Sequence, residues 1–298
     1  MIRSRPLIAR PLAGAGAVAL ASANFVALPP AVLANAAAVA VPGARVPDTA
    51  AGHRTAPDGL VVRDPHTGPT IPARTDHPTV MSEQRRLIVF GDSVANRKHC
   101  QCESFVNRYA KLVSDRAEVH VDNLAGDGQT TAAVRAVLAA PATQDLVRRA
   151  DTVVIVAGAN DYRRAFQQVG HGRWGVAAYR AVARRVQGNL VAAIHTVTRL
   201  NPHARVLTFG YWNAFKAGAV ARAAYTARQR KAAAAATTSA NDAIRAAAQA
   251  TASDFLSTRR AFAAAGTITH LLAADGDHPS PAGNTVLAQT LADAIWVK

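Results

Sequence analysis

The residues best able to do chemistry lie at four separated points of the chain. Ser93 stands in Gly91-Asp92-Ser93, directly after the apolar run Leu87-Ile88-Val89-Phe90. His278 follows Asp275 by three residues in Asp275-Gly276-Asp277-His278, close to the C-terminus. Between them lie Gly128, in Asn123-Leu124-Ala125-Gly126-Asp127-Gly128, and Asn160, in Gly158-Ala159-Asn160-Asp161. Acyl transfer to serine needs a nucleophile, a base, a group that orients the base, and donors for the developing oxyanion. Ser93 would attack, and His278 would take its proton and return it to the leaving alcohol. Asp275 would hold the imidazole tautomer, with Asp277 a competitor for that role. The backbone N–H groups of Ser93 and Gly128 and the side-chain amide of Asn160 would serve as the three donors. Gly128 suits this because a residue without Cβ lets its N–H approach a ligand closely.

Each of these signals is weak singly. A Gly-Asp-Ser tripeptide also fits an ordinary strand-to-helix turn. An acidic loop before a helix also fits a cap with a surface histidine. The weight comes from where they fall. Short apolar strands are expected at Arg86–Phe90, Glu118–Val121, Thr152–Val156, Arg205–Phe209 and, more weakly, Ser253–Leu256. Helices are expected at Glu103–Ser114, Thr130–Ala140, Ala177–Leu200, Ala221–Ala250 and from Ser280-Pro281 onward, with Asn201-Pro202 stopping the third. Strands alternating with helices predict a parallel sheet covered on both faces. Ligands bind at the carboxyl ends of such strands, which is where the Ser93, Gly128 and Asn160 turns stand.

Taken in order, GDS, NLAGDGQTT, GAND and DGDH resemble the four blocks of the SGNH/GDSL hydrolase family. Its eponymous Ser, Gly, Asn and His match Ser93, Gly128, Asn160 and His278. The resemblance spans residues 85–298. It implies a flavodoxin-like three-layer α/β/α fold around a parallel five-stranded sheet, the SGNH hydrolase fold. It further implies ester hydrolysis without a metal or other cofactor, and a triad completed by Asp275 rather than Asp277. Two departures stand out. Val94 follows Ser93 where the family often has Leu, and Gly126 competes with Gly128 for the donor position. Two rival motifs fail. No G-x-S-x-G elbow occurs, and Gly126-x-Gly128 lacks the third glycine of a dinucleotide loop.

The rest of the 298-residue chain bears on location and partners. Arg3, Arg5 and Arg10 precede an Ala/Val/Leu-rich stretch with Ala34-Asn35-Ala36 or the earlier Ala21-Ser22-Ala23 as cleavage site. That is the pattern of a secretory signal over residues 1–36. Pro29 and Pro30 break the stretch, which argues against a membrane anchor. Residues 37–83 are rich in Pro, Ala, Thr, Asp and His without apolar periodicity and read as a flexible linker or pro-segment. His53, His66 and His77 there read as solvated. The catalytic domain is expected over residues 84–298, in a secreted protein. Cys100 and Cys102 are the two cysteines of the chain. In an exported protein they can pair with each other, and with His99 alone beside them they make a poor zinc site.

The net charge is +15, but the arginines are scattered and no RNA-binding, zinc-finger or helix-turn-helix signature accompanies them. Loose association with an anionic cell surface is expected, nucleic acid is not, and a monomer is expected. The partner in every case is an ester: a lipid, a small ester or an acetylated glycan. Segments 161–176 and 211–226 are expected to shape the pocket, with Trp174, Tyr211 and Trp212 as candidates to stack on a sugar or line an acyl site, although core packing is the more common use of such aromatics. Alternatives are a polysaccharide O-deacetylase of the same fold, a catalytically silent surface-binding module, or acyl transfer to an acceptor other than water.

Overall fold

A computed structural model describes residues 83–96, 100 and 102–296. The expected leader and linker therefore lie outside the described residues, except Glu83, which opens the first strand instead of closing the linker. So do His99 and the linker histidines.

The chain alternates strand and helix from the start. Strand β1 (Glu83–Gly91) leads to α1 (Phe105–Leu112), β2 (Ala117–Asn123), α2 (Thr131–Ala139), α3 (Pro141–Val147) and β3 (Thr152–Val156). A single 3₁₀ turn (Asn160–Tyr162) precedes α4 (Arg163–Gly170), and another (Val176–Ala178) runs into the long α5 (Tyr179–Leu200). Then come β4 (Arg205–Phe209), the short α6 (Ala214–Ala217) and α7 (Ala219–Ala224), and α8 (Ala227–Ala250). Strand β5 (Asp254–Leu256), α9 (Thr258–Ala264), α10 (Ile268–Leu271) and α11 (Pro281–Trp296) complete the domain.

All five strands are parallel, in the order β2-β1-β3-β4-β5. The chain moves one way from β1 to β2 and the other way thereafter. Right-handed crossovers then force α1 onto one face and α2, α5 and α8 onto the other. The packing agrees: α1 lies on α11, while α5 lies between α2 and α8. The result is a flavodoxin-like three-layer α/β/α sandwich. Strands covered on both faces must be apolar on both faces. Leu87 through Phe90 and Val153 through Val156 are accordingly buried without alternation.

The helix boundaries follow local chemistry. Ser104, Thr130 and Ser257 cap α1, α2 and α9 with their hydroxyls. Pro141 opens α3. The Ala-rich stretch expected as one helix from Ala221 to Ala250 is instead broken at Tyr225-Thr226. Thr226 and Gln229 form a reciprocal capping box that starts α8 afresh. The Tyr225 ring is buried edge-on against Phe166 and Phe215, which holds the break open.

Asn201 stops α5 as expected and adds a second function. Its amide nitrogen donates to the Val147, Arg148 and Ala150 carbonyls, at 3.2, 3.4 and 2.8 Å. They lie at and just past the end of α3, where a helix leaves carbonyls without intrahelical partners; the Val147 carbonyl also accepts from Ala150 N at 3.2 Å. Replacing Asn201 with Ala should lower unfolding free energy by about 1–3 kcal/mol and leave kcat unchanged, since the site lies at the opposite ends of the strands. Urea denaturation followed by circular dichroism measures the first and ester hydrolysis the second.

Candidate active site

Parallel register sets the site. Val89 pairs with Asn123, and Gly91 pairs with Val156. The last residues of β2, β1 and β3 thus lie side by side, and their loops leave the same edge of the sheet. Gly91 adopts φ +149°, and a Cβ there would run into the Val156 carbonyl oxygen. Glycine is required for β1 to end this close to β3.

The turn that follows uses nearly all its amides internally. Asp92 N donates to Val156 O at 2.9 Å, and Ala95 N donates to Asp92 O at 3.2 Å. Val94 N donates to Asp92 Oδ1 at 3.0 Å. The N–H of Ser93 alone is left over, with no acceptor among the described residues. The Asp92 side chain is buried, and its second oxygen accepts a 2.5 Å hydrogen bond from the Tyr211 hydroxyl. Burial raises Asp92 to about 6, against the opposing pull of Tyr211 and the Val94 N–H.

His278 arrives on a loop pinned to itself. Ala273 N donates to His278 O at 2.8 Å, and Ser280 N donates to Leu271 O at 2.9 Å. Inside this loop Asp275 Oδ1 accepts from the N–H groups of Asp277 and His278, each at 3.0 Å. The turn so formed explains the three-residue spacing. It leaves Asp275 Oδ2 facing His278 Nδ1 at 2.6 Å, while His278 Nε2 lies 2.8 Å from Ser93 Oγ. The structure therefore brings Ser93, His278 and Asp275 into one line. Asp277 stands outside that line, although its backbone carbonyl accepts from Trp212 Nε1 at 3.2 Å.

Electrostatics follow from this placement. Burial pushes the Asp275 carboxyl up, but hydrogen bonds from the His278 ring and from the Asp277 and His278 N–H groups outweigh it and bring it down to about 2. Burial pushes the His278 ring down. Its bond to Asp275 and the nearby Asp277 and Asp92 carboxyls reverse this and hold it above the ordinary histidine value. Asp277 is raised to about 6 by burial, with Asp275 and Asp92 adding to the rise against the pull of His278.

The second and third loops are tied to the first and to each other. Gly126 N donates to Gly91 O at 2.9 Å, so its N–H is already used. Gly128, at φ +72°, makes no such bond among the described residues, and the space beside its Cα is open. The two glycines therefore differ: the Gly126 N–H is bonded, and the Gly128 N–H is left open among the described residues. Asn160 Nδ2 donates to Gln129 O at 3.1 Å, which spends one hydrogen and leaves the other. Asp161 grips the start of α2, accepting from Thr131 N at 2.9 Å and from Thr131 Oγ1 at 2.8 Å. Cys100 and Cys102 are disulfide-bonded beyond the Ser93 turn. The Cys102 sulfur lies 3.6 Å from the Asn284 amide of α11.

Sequence reasoning missed the supporting residues. Tyr211 and Trp212 were candidates for the pocket wall, yet both are buried. Tyr211 bonds Asp92, and Trp212 stacks on Phe262 at 4.6 Å. Trp174 is exposed, with the Arg164 guanidinium over its ring. Asp161 and Thr131 sit inside the GAND and QTT blocks, but nothing in their spacing announces the pairing. Segments 161–176 and 211–226 do meet, through Phe166, Phe215 and Tyr225.

Residues 89–286 match the GDSL-like lipase/acylhydrolase family model. No curated protein matches the chain in sequence. Among solved structures, the chain is similar to the lipase Lip_vut3 from a goat rumen metagenome, with 19% identity, TM-score 0.59, and 71% of this chain and 98% of that one covered. It is similar to phospholipase A1 of Streptomyces albidoflavus, with 18% identity, TM-score 0.56, and coverage of 70% and 98%. It is also similar to an acetylxylan esterase of Geobacillus stearothermophilus, with 17% identity, TM-score 0.53, and coverage of 73% and 97%. At these identities the structural likeness speaks to the fold. The family match spans most of the chain and includes the Ser93, Gly128, Asn160 and Asp275/His278 blocks, so this protein belongs to the GDSL-like (SGNH) lipase/acylhydrolase family and is a carboxylic-ester hydrolase.

Proposed function

We propose that the protein is a secreted serine esterase that works through an acyl-enzyme on Ser93, with His278 as base and Asp275 as its partner. The unbroken chain from Asp275 Oδ2 through His278 to Ser93 Oγ carries this reading. Ser93 Oγ attacks the ester carbonyl carbon while its proton passes to His278 Nε2. The carbonyl oxygen takes the displaced electron pair and accepts hydrogen bonds from the Ser93 and Gly128 N–H groups and the Asn160 amide. As the carbonyl re-forms, the ester C–O bond breaks. The imidazolium protonates the departing alkoxide, which leaves as the alcohol. Water then gives a proton to His278 and attacks the acyl carbon, and Ser93 leaves with the proton returned. Asp275 stays ionised throughout, which keeps Nδ1 protonated and Nε2 free to accept. Export is supported by the basic-then-apolar N-terminus and by the Cys100–Cys102 bridge, which suits an oxidising compartment. The substrate is an ester; a panel running from short acyl esters to long-chain lipids and acetylated glycans identifies its acyl chain and alcohol.

Ser93→Ala should abolish ester turnover and labelling by a fluorophosphonate probe while circular dichroism stays native; full activity in that variant would sink the proposal. Asn160→Ala should lower kcat on the order of 10²–10³-fold, read by steady-state kinetics on a 4-nitrophenyl ester. The pH profile has a defined sign. His278 must be neutral to accept a proton, and its carboxylate neighbours favour the charged form. Activity should therefore fall as pH drops through a value above that of ordinary histidine. Asp275→Asn removes the largest of those upward pulls, so the acid limb of its residual activity should move to lower pH. A limb that stays in place would contradict the pairing.

A further inference from the structure

We propose that Asn241 is a positioning residue for Ser93, acting through the backbone of Tyr211 and the hydrogen bond from Tyr211 to Asp92. The proposal rests on the reading of Ser93 as nucleophile and extends it to a residue that bonds neither Ser93 nor His278. Asn241 lies within α8, where most of the other buried positions are alanine: Ala236, Ala240, Ala243 and Ala247 among them. A buried amide in such a helix is costly unless all its groups are met. Both are met by one residue. Tyr211 N donates to Asn241 Oδ1 at 2.7 Å, and Asn241 Nδ2 donates to Tyr211 O at 2.8 Å. The side chain pairs with Tyr211 as a neighbouring strand would, just past the end of β4.

The residue before Tyr211 is fixed from the other side. Gly210 N donates to Leu256 O at 2.9 Å, and Thr258 Oγ1 donates to Gly210 O at 2.7 Å. A Cβ at Gly210 would sit 2.7 Å from Asn241 Oδ1, so the clamp needs glycine there. From this fixed backbone the Tyr211 ring reaches across the sheet to Asp92, 119 residues earlier, and donates its hydroxyl to Oδ2. Asp92 Oδ1 in turn holds Val94 N, closing the turn that presents the Ser93 hydroxyl and N–H. The three links from Asn241 to Asp92 are short hydrogen bonds between buried groups, and the last, to Val94 N at 3.0 Å, is half-buried. A small loss of register at Asn241 therefore reaches Ser93, where displacement by a fraction of an ångström is costly to the reaction.

The test is a double-mutant cycle on the full-length protein. Tyr211→Phe removes one hydroxyl and keeps the ring. Asn241→Leu keeps the branched four-atom shape and removes both amide contacts, and Asn241→Ser replaces it if circular dichroism shows Asn241→Leu misfolded. Kinetics on 4-nitrophenyl acetate and the rate of fluorophosphonate labelling are read for each single variant and for the double. Each single variant should lose roughly 10- to 100-fold in kcat and labelling rate, with KM held within about twofold. The double should lose no more than the worse single, because both act along one path. Wild-type kcat in Tyr211→Phe, or losses that multiply in the double, would overturn the clamp while leaving Ser93 labelled in the wild type. Failure of the wild type to label at Ser93 would overturn the nucleophile reading and the clamp together.

Discussion

The close parallel register of β1 with its two neighbours governs everything else at the site. Because β1 lies between β2 and β3, three loops leave one edge within reach of each other. Gly91 lets β1 end against Val156, and the first amides of each loop are spent tying it to the next. Asp92 bonds Val156, Gly126 bonds Gly91, and Asn160 bonds Gln129. What these ties leave unspent is as informative as the ties. The N–H groups of Ser93 and Gly128 and one hydrogen of Asn160 have no acceptor among the described residues. In the mechanism we propose, these unmet donors are preorganised for the charge that appears only during the reaction.

The charge balance around His278 fits the same picture. Three carboxyls act on one imidazole, yet they are not equivalent. Asp275, met by two backbone N–H groups and the ring, is held down near 2 and is ionised at any physiological pH. Asp92 and Asp277, more deeply buried, are pushed up to about 6. One carboxylate is thus firmly charged beside the one side chain that becomes a cation in the mechanism we propose. Difference in environment, not in residue type, separates these carboxyls, and the mechanism we propose takes Asp275 as the partner of His278 on that ground.

Much of this was legible from residues alone. Continuous apolar runs ending in Gly-containing turns gave away the strands, and the order of the four blocks gave away the family. Asp275 and Asp277 could not be separated by spacing from His278, because either can reach an imidazole; the resemblance to the family chose Asp275, and the Asx-type turn at Asp275 supplies the physical reason. Gly126 and Gly128 were likewise indistinct until the bond from Gly126 to Gly91 removed one of them. The break at Thr226 was readable as a capping box, but the alanine run on both sides masked it. Tyr211 and Trp212 stayed open between pocket wall and core packing for a different reason, and the structure buries both. An aromatic after a strand reads the same whether it faces a ligand or a buried carboxylate 119 residues away, and only tertiary structure brings Asp92 to the hydroxyl.

The claim at the centre is that the acyl group passes through Ser93. The most direct measurement is acid quenching during turnover of a slowly deacylated 4-nitrophenyl ester, followed by intact-protein mass and peptide mapping. A mass increase equal to the acyl group, located on the peptide that contains Ser93 and formed with a burst of nitrophenol, is expected. Steady turnover with no acyl-protein at any quench time and no burst, or an acyl group mapped to a different residue, would contradict it.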